Sequence, residues 1–183
     1  MLDRFRRFLS ETAPPEVTIR ETLTIVALLD CKFDGPSNQR TRLLMREFAR
    51  IGDDQVQVII MHKGIQRSPV ETPDPALPNL KTVPYGTDIR PLYNGRVIMW
   101  TDAPEFAGTL ATAHPNLVVY DDREKGINSA EDAAMHKLAD LVFSYDLDTL
   151  AHPKISFISS TADGAAKALL TIQKSPNRKP PRQ

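Results

Sequence analysis

The sequence predicts an α/β protein: an open, mostly parallel Rossmann-like sheet with helices on both faces. Three observations predict it. Apolar segments of strand length alternate with segments of helical periodicity. The first such segment, TLTIVALLDC (22–31), is apolar almost throughout rather than at every second residue, as expected for a strand buried on both faces. The first sixty residues then read strand, helix, strand, an order that requires a right-handed parallel crossover.

Each element has its own local justification. After the first strand, FDGPSNQR supplies turn residues, and QRTRLLMREFARIG (39–52) places Leu43, Leu44, Phe48 and Ile51 at helical spacing, with Gly52 where a helix C-cap glycine belongs. QVQVIIMH (55–62) is the second strand. Residues 63–95 form a long irregular excursion holding six of the fifteen prolines, between Pro69 and Pro91, in which only NLKTVPY has strand character. RVIMWT (96–101) is a strand and APEFAGTLATA (103–113) a helix, with Pro104 suited to its first turn. PNLVVYDD is the next strand. SAEDAAMHKLA (129–139) is a helix with Ser129 as N-cap and Asp132 three residues on, a looser form of the capping box. DLVFSY and KISFIS are short strands, ADGAAKALLTIQKS is a closing helix, and PNRKPPRQ has the composition of an unstructured basic tail. The expected organisation is a lead-in over residues 1–21, one domain over 22–174 and a tail over 175–183.

Composition bounds the function. The chain has 183 residues, 41% hydrophobic and 25% charged, which suits one soluble domain. Its 23 Lys and Arg balance its 23 Asp and Glu, which argues against a dedicated nucleic-acid binder. The lone Cys31 cannot form an internal disulfide or a cysteine zinc site, so a reducing, cytoplasmic setting is the expectation. The longest apolar run, Leu23 to Leu29, falls far short of the ~20 residues of a membrane span. The opening MLDRFRRFLS lacks a signal-peptide core but gathers Leu2, Phe5 and Leu9 on one helical face beside three arginines. Such a piece can touch an anionic membrane surface, and more commonly packs on its own domain or on a partner.

In doubly wound sheets ligands collect beyond the carboxyl ends of the strands, near the point where strand order reverses. That rule selects Asp30–Arg40, His62–Gly64, Thr101 and Asp102, Asp121–Gly126, Ser144–Asp146 and Ser159–Asp163. Within the first loop, Asp34, Asn38, Gln39 and Arg40 offer hydrogen bonds ahead of a helix N-terminus. YDDREKG offers the paired carboxylates Asp121 and Asp122 with Glu124, suited to sugar hydroxyls, a cation or a proton, or simply to a solvated turn. No metal ligand set stands out. Ser144 closes a strand, and Trp100 ends another as core or pocket wall. CKFDGPSNQR has a single glycine, so it is neither a G-x-G-x-x-G fingerprint nor a phosphate loop, and no nucleotide cofactor is expected in the usual modes. His62, His114, His136 and His152 show no zinc spacing, and His136 reads as a surface or packing residue. Ser159 and Ser160 lack a nucleophile elbow.

Taken in order, NLVVYDDREKG, AMHKLADLVFSYD and LAHPKISFISSTADGAAKAL resemble the second half of the N-terminal domain of bacterial two-Rossmann-domain (GT-B) glycosyltransferases. The matching positions are Tyr120 and Asp121, Ala139–Phe143 with Ser144, His152–Lys154, and Ser159, Ser160 and Asp163. FDGPSNQRTRLLMREFARIG is similar to the family's first loop and helix, opened by a Gln–Arg pair. VIMWTDAPEFAGTL is similar to its tryptophan-ended strand. Two positions depart: Lys125 follows Glu124 where acids are usual, and Tyr145 and Asp146 replace a glycine. The resemblance covers roughly residues 23–170. It implies a domain that mainly binds the acceptor, while a second domain, with no counterpart here, holds the nucleotide-sugar donor. A glycosyltransferase-like binding or assembly module, or one half of a split enzyme, is therefore expected. The alternative is an active sugar-transferring enzyme completed by a partner chain or a homo-oligomer. A sugar or glycan is the expected ligand.

Overall fold

The computed structural model describes residues 17–30, 36–63, 75–122, 129–144, 155–157 and 162–178. Seven strands, β1 (Leu23–Asp30), β2 (Val56–Lys63), β3 (Leu80–Pro84), β4 (Arg96–Thr101), β5 (Leu117–Asp122), β6 (Leu141–Ser144) and the three-residue β7 (Ile155–Phe157), form one sheet in the order β3-β2-β1-β4-β5-β6-β7. Every neighbouring pair is parallel. Among the described residues the α-helices are α1 (Pro36–Gly52), α2 (Ala107–Ala113), α3 (Ala130–Leu138) and α4 (Ala162–Lys174). The architecture is Rossmann-like, as the alternation of elements predicts, and the sheet is parallel throughout. Among the described residues no helix is long and apolar enough to cross a membrane.

β1 is an interior strand, paired on both sides, and its apolar sequence suits burial on both faces. Leu23 is opposite Val56 on one side and Arg96 on the other, and Leu23 through Leu29 are all buried. The pleat sends alternate side chains to two separate cores. Ile25, Ala27 and Leu29 join Trp100, Val119 and Phe143 beneath α1 and α4. Val26 and Leu28 join Met99, Val118, Tyr120 and Val142 beneath Phe106, Leu110 and Met135 on the other face.

α1 is rotated from the orientation that its sequence spacing suggested. Leu44, Met45, Phe48 and Ala49 form the buried stripe, and Leu43 is 52% exposed. Gly52 is not the left-handed cap. It ends the helix with φ −85°, and Asp53 takes the positive φ of 45°. Glycine is needed at 52 for closeness, since a Cβ there would lie 2.1 Å from Val56 Cγ2. The end of α1 is closed by Asn79, whose Nδ2 lies 2.9, 2.7 and 2.8 Å from the carbonyls of Ala49, Asp53 and Val56.

The amino edge of the sheet is sealed by two arginines acting on backbone. Arg96 is buried and donates to the carbonyls of Ile172 (3.1 Å) and Ser175 (2.7 Å) at the end of α4, and to Glu21 (3.1 Å). Arg178 donates its N–H to the carbonyl of Asn116 (2.8 Å) and its guanidinium to that of Leu138 (3.0 Å), with Asp140 at 3.2 Å. Ser175–Arg178, basic and polar by composition, therefore runs along this edge, held by carbonyls that the helix ends leave open. Residues 179–183 and 1–16 lie outside the described residues.

Candidate functional site

The strand order reverses between β1 and β4: the chain proceeds outward through β2 and β3 on one side and through β5, β6 and β7 on the other. The gap beyond the carboxyl ends of β1 and β4 is where this fold leaves a crevice. Asp30 ends β1, and Lys63 ends β2 directly opposite it in register; both are exposed. Beyond β4, Thr101 is buried, donates to the carbonyl of Leu28 (3.0 Å) and accepts from the N–H of Ala103 (3.1 Å). That pinned turn leads into the 3-10 turn Pro104–Phe106, which carries Glu105 to the neighbourhood of Asp30.

Glu105 is exposed, and partial desolvation, followed by the nearby Asp30 carboxyl, pushes its own carboxyl upward from the usual range. A backbone hydrogen bond and the Lys63 ammonium act against them. The switch point thus brings two exposed carboxyl groups and a lysine within electrostatic range of one another. A carboxyl oxygen accepts from a hydroxyl and the Lys63 ammonium donates to one, so the three side chains can engage vicinal hydroxyls in both senses.

A second set of contacts laces α1 to the same edge. Arg40 meets Asp121 at the end of β5 through Nε–Oδ2 and Nη2–Oδ1 distances of 3.3 Å each. Thr41 donates to Asp102 just beyond β4. Asp121 is fully buried, whereas the Arg40 side chain is 16% exposed. Complete burial raises the Asp121 pKa, the Arg40 charge and hydrogen bonds pull it back, and the neighbouring Asp122 adds to the rise.

Asp122 turns to the opposite face, where its Oδ2 lies 2.9 Å from Nε2 of His136 on α3. The His136 ring also stands edge-on to Tyr120, with centroids 5.4 Å apart. Tyr120 donates to Asp132 (3.2 Å), whose N–H donates to Ser129, the N-cap that the sequence indicates. The last two residues of β5 therefore fasten helices on both sides of the sheet.

The sequence-selected residues separate accordingly. Asp121, Asp122 and Ser144 stand at the carboxyl edge, but all three side chains are buried and none forms an open acidic rim. The reason is geometric: β5 is an interior strand, so its last residues lie under α1 and α3. Trp100 is fully buried, stacked on Phe143 and edge-on to Phe48, each at 5.4 Å, and belongs to the core. Arg40 comes together with Asp121. Asn38 and Gln39 fall in the first turns of α1, with side chains outside the described residues. Asp34 and Glu124, and likewise Cys31, Tyr145, Asp146, His152, Ser159 and Ser160, also lie outside them. Among the described residues no group of three or more His, Cys, Asp or Glu could hold a metal ion.

No sequence signal marks Glu105, and His136, which reads there as a surface or packing residue, packs on Tyr120 and meets Asp122. Glu105 reads as an ordinary acid in a first helical turn, and only strand order brings it to Asp30. His136 follows Met135, which is buried, so its helical position already borders the sheet. No family model, curated protein or solved structure matches the chain.

Proposed function

We propose that this chain is the acceptor-binding half of a glycosyltransferase-like assembly of the GT-B kind, holding sugar hydroxyls between Asp30, Glu105 and Lys63. The observation that carries the reading is the placing of two exposed carboxyl groups, Asp30 and Glu105, near each other at the reversal of strand order, with Lys63 paired to Asp30 in register. The likeness of the YDD, ADLVFS and HPK segments to that family's acceptor domain supports it from the sequence side. Glycosyl transfer needs a site that grips a nucleotide diphosphate, aligns the acceptor hydroxyl and excludes water. One sheet edge supplies one wall of such a site. The donor wall comes from a second Rossmann-type layer outside these residues, and this domain contributes recognition of the acceptor.

Isothermal titration of the full chain with neutral oligosaccharides and, separately, with UDP- and GDP-sugars tests the division of labour. The reading expects weak saccharide binding that Asp30→Asn and Glu105→Gln each abolish, and no tight nucleotide-sugar binding. Tight binding of a nucleotide sugar by the monomeric chain overturns it.

A further inference from the structure

Tyr85 is a large aromatic side chain that the fold leaves 40% exposed, just past the end of β3. Its N–H donates to the carbonyl of His62 (2.9 Å), so the ladder between β2 and β3 runs one step further and sets Tyr85 opposite Lys63. The pleat fixes the face. Asp30, Lys63 and Tyr85 lie two residues beyond Leu28, Met61 and Val83, which all pack in the core with Phe106 and Leu110. Three neighbouring strands therefore end on the side of the sheet where the turn Pro104–Phe106 carries Glu105.

The ring is also held in place. It packs against Phe106 with centroids 5.7 Å apart and planes inclined at 41°. Its hydroxyl shares a 2.9 Å hydrogen bond with Oγ1 of Thr109 on α2. A brace at the ring and a tether at the hydroxyl fix this aromatic surface before any ligand arrives, which lowers the ordering cost of binding.

We propose, resting on the saccharide reading above, that Tyr85 is the stacking platform of the crevice. The ligand is then a pyranose ring laid by a C–H face on the phenol ring, with Asp30, Glu105 and Lys63 taking hydroxyls at its rim. A pyranose is amphipathic: hydroxyls project around its edge, and its faces carry polarised C–H groups. The face of an aromatic ring is negative, so it attracts those C–H groups while covering them from water. An open-chain polyol offers the same hydroxyls to the carboxyl groups and the ammonium, but no face to Tyr85. Thr109 already engages the phenol hydroxyl, so the ring is what Tyr85 contributes, and the ring is what separates a cyclic sugar from a polyol.

The test compares methyl β-glucopyranoside with glucitol on the full chain, by chemical-shift titration and by saturation transfer from protonated tyrosine in an otherwise deuterated chain. The wild type should bind the glucoside more tightly than glucitol, and saturation of the tyrosine rings should reach the ring C–H protons of the glucoside. Tyr85→Leu should weaken the glucoside about tenfold and leave glucitol unchanged, which erases the preference. Tyr85→Phe keeps the ring, so it should keep the preference while losing the transfer from tyrosine. Glucoside binding that is lost in Asp30→Asn but unchanged in Tyr85→Leu overturns the stacking role and leaves the saccharide reading standing. No saccharide binding by the wild type overturns both. Two wild-type results, which need no variant to fold, also overturn the stacking role: equal binding of glucoside and glucitol, or saturation that reaches the bases of uridine and guanosine monophosphates and not the glucoside.

Discussion

Replacing Arg40 with methionine keeps the apolar stem and removes the charge that faces Asp121. The buried carboxylate then has two options, to stay ionised without that charge or to take a proton from solution. The second sets a ceiling on the cost. An unfolded aspartate titrates near pH 4, and each pH unit above that costs about 1.4 kcal/mol to hold it protonated, so at neutral pH the penalty reaches about 4 kcal/mol. That agrees with the roughly 3–5 kcal/mol measured when one member of a buried ion pair is removed. The sign is fixed: with the folded pKa raised above the unfolded one, stability is lost as pH rises through the window between them. Arg40→Met should thus be close to wild type in mild acid and fall increasingly behind toward neutrality. Urea unfolding, read by the fluorescence of the single, fully buried Trp100, measures this at a series of pH values. Adding Asp121→Asn to Arg40→Met should recover stability to within about 1 kcal/mol of wild type, since exchanging a whole buried pair is often nearly neutral. A single variant whose curve parallels wild type from acid to neutral pH, or a double variant no better than the single, would refute the reasoning.

Further outcomes follow from other contacts. Gly52→Ala should lower the urea midpoint by an equivalent of about 1–3 kcal/mol, because the new Cβ is driven into Val56. Arg96→Met should cost about 1–3 kcal/mol by leaving the carbonyls of Ile172 and Ser175 without their buried donor, and should loosen amide protection at the end of α4 first. Ser129→Ala should cost about 1 kcal/mol through loss of the α3 cap, seen as a lower melting temperature. Asp30→Asn should bring the Glu105 carboxyl back toward its ordinary range, since the Asp30 charge is among the causes that raise it. Carbon-detected titration of Glu105 reads that directly, and an unchanged titration would separate the two residues.

What the sequence revealed and what it hid follow from the range of each interaction. TLTIVALL announced a strand buried on both faces because such a segment must be apolar almost throughout, and Leu23–Leu29 are all buried in β1. Ser129 and Asp132 were legible as a cap because both partners lie within one helical turn. The orientation of α1 was not, since Leu43 and Met45 are equally apolar and only the packed sheet chooses between them. The double role of Asp121 and Asp122 was hidden too: an acidic run after an apolar one reads as a turn, whereas Arg40, 81 residues distant, and His136, on α3, receive those side chains. Asp30 and Glu105 illustrate the same limit, since strand order rather than any local spacing brings them together.

The central claim is that the reversal of strand order, and not some other surface, receives a hydroxyl-bearing ligand. Amide chemical-shift mapping of the full chain titrated with a neutral oligosaccharide tests it most directly. The account predicts the largest displacements at Asp30, Lys63 and Glu105, and their disappearance in Asp30→Asn. Displacements centred on the amino edge around Arg96 and Arg178, or a carboxyl edge that stays still at saturating sugar, would contradict it.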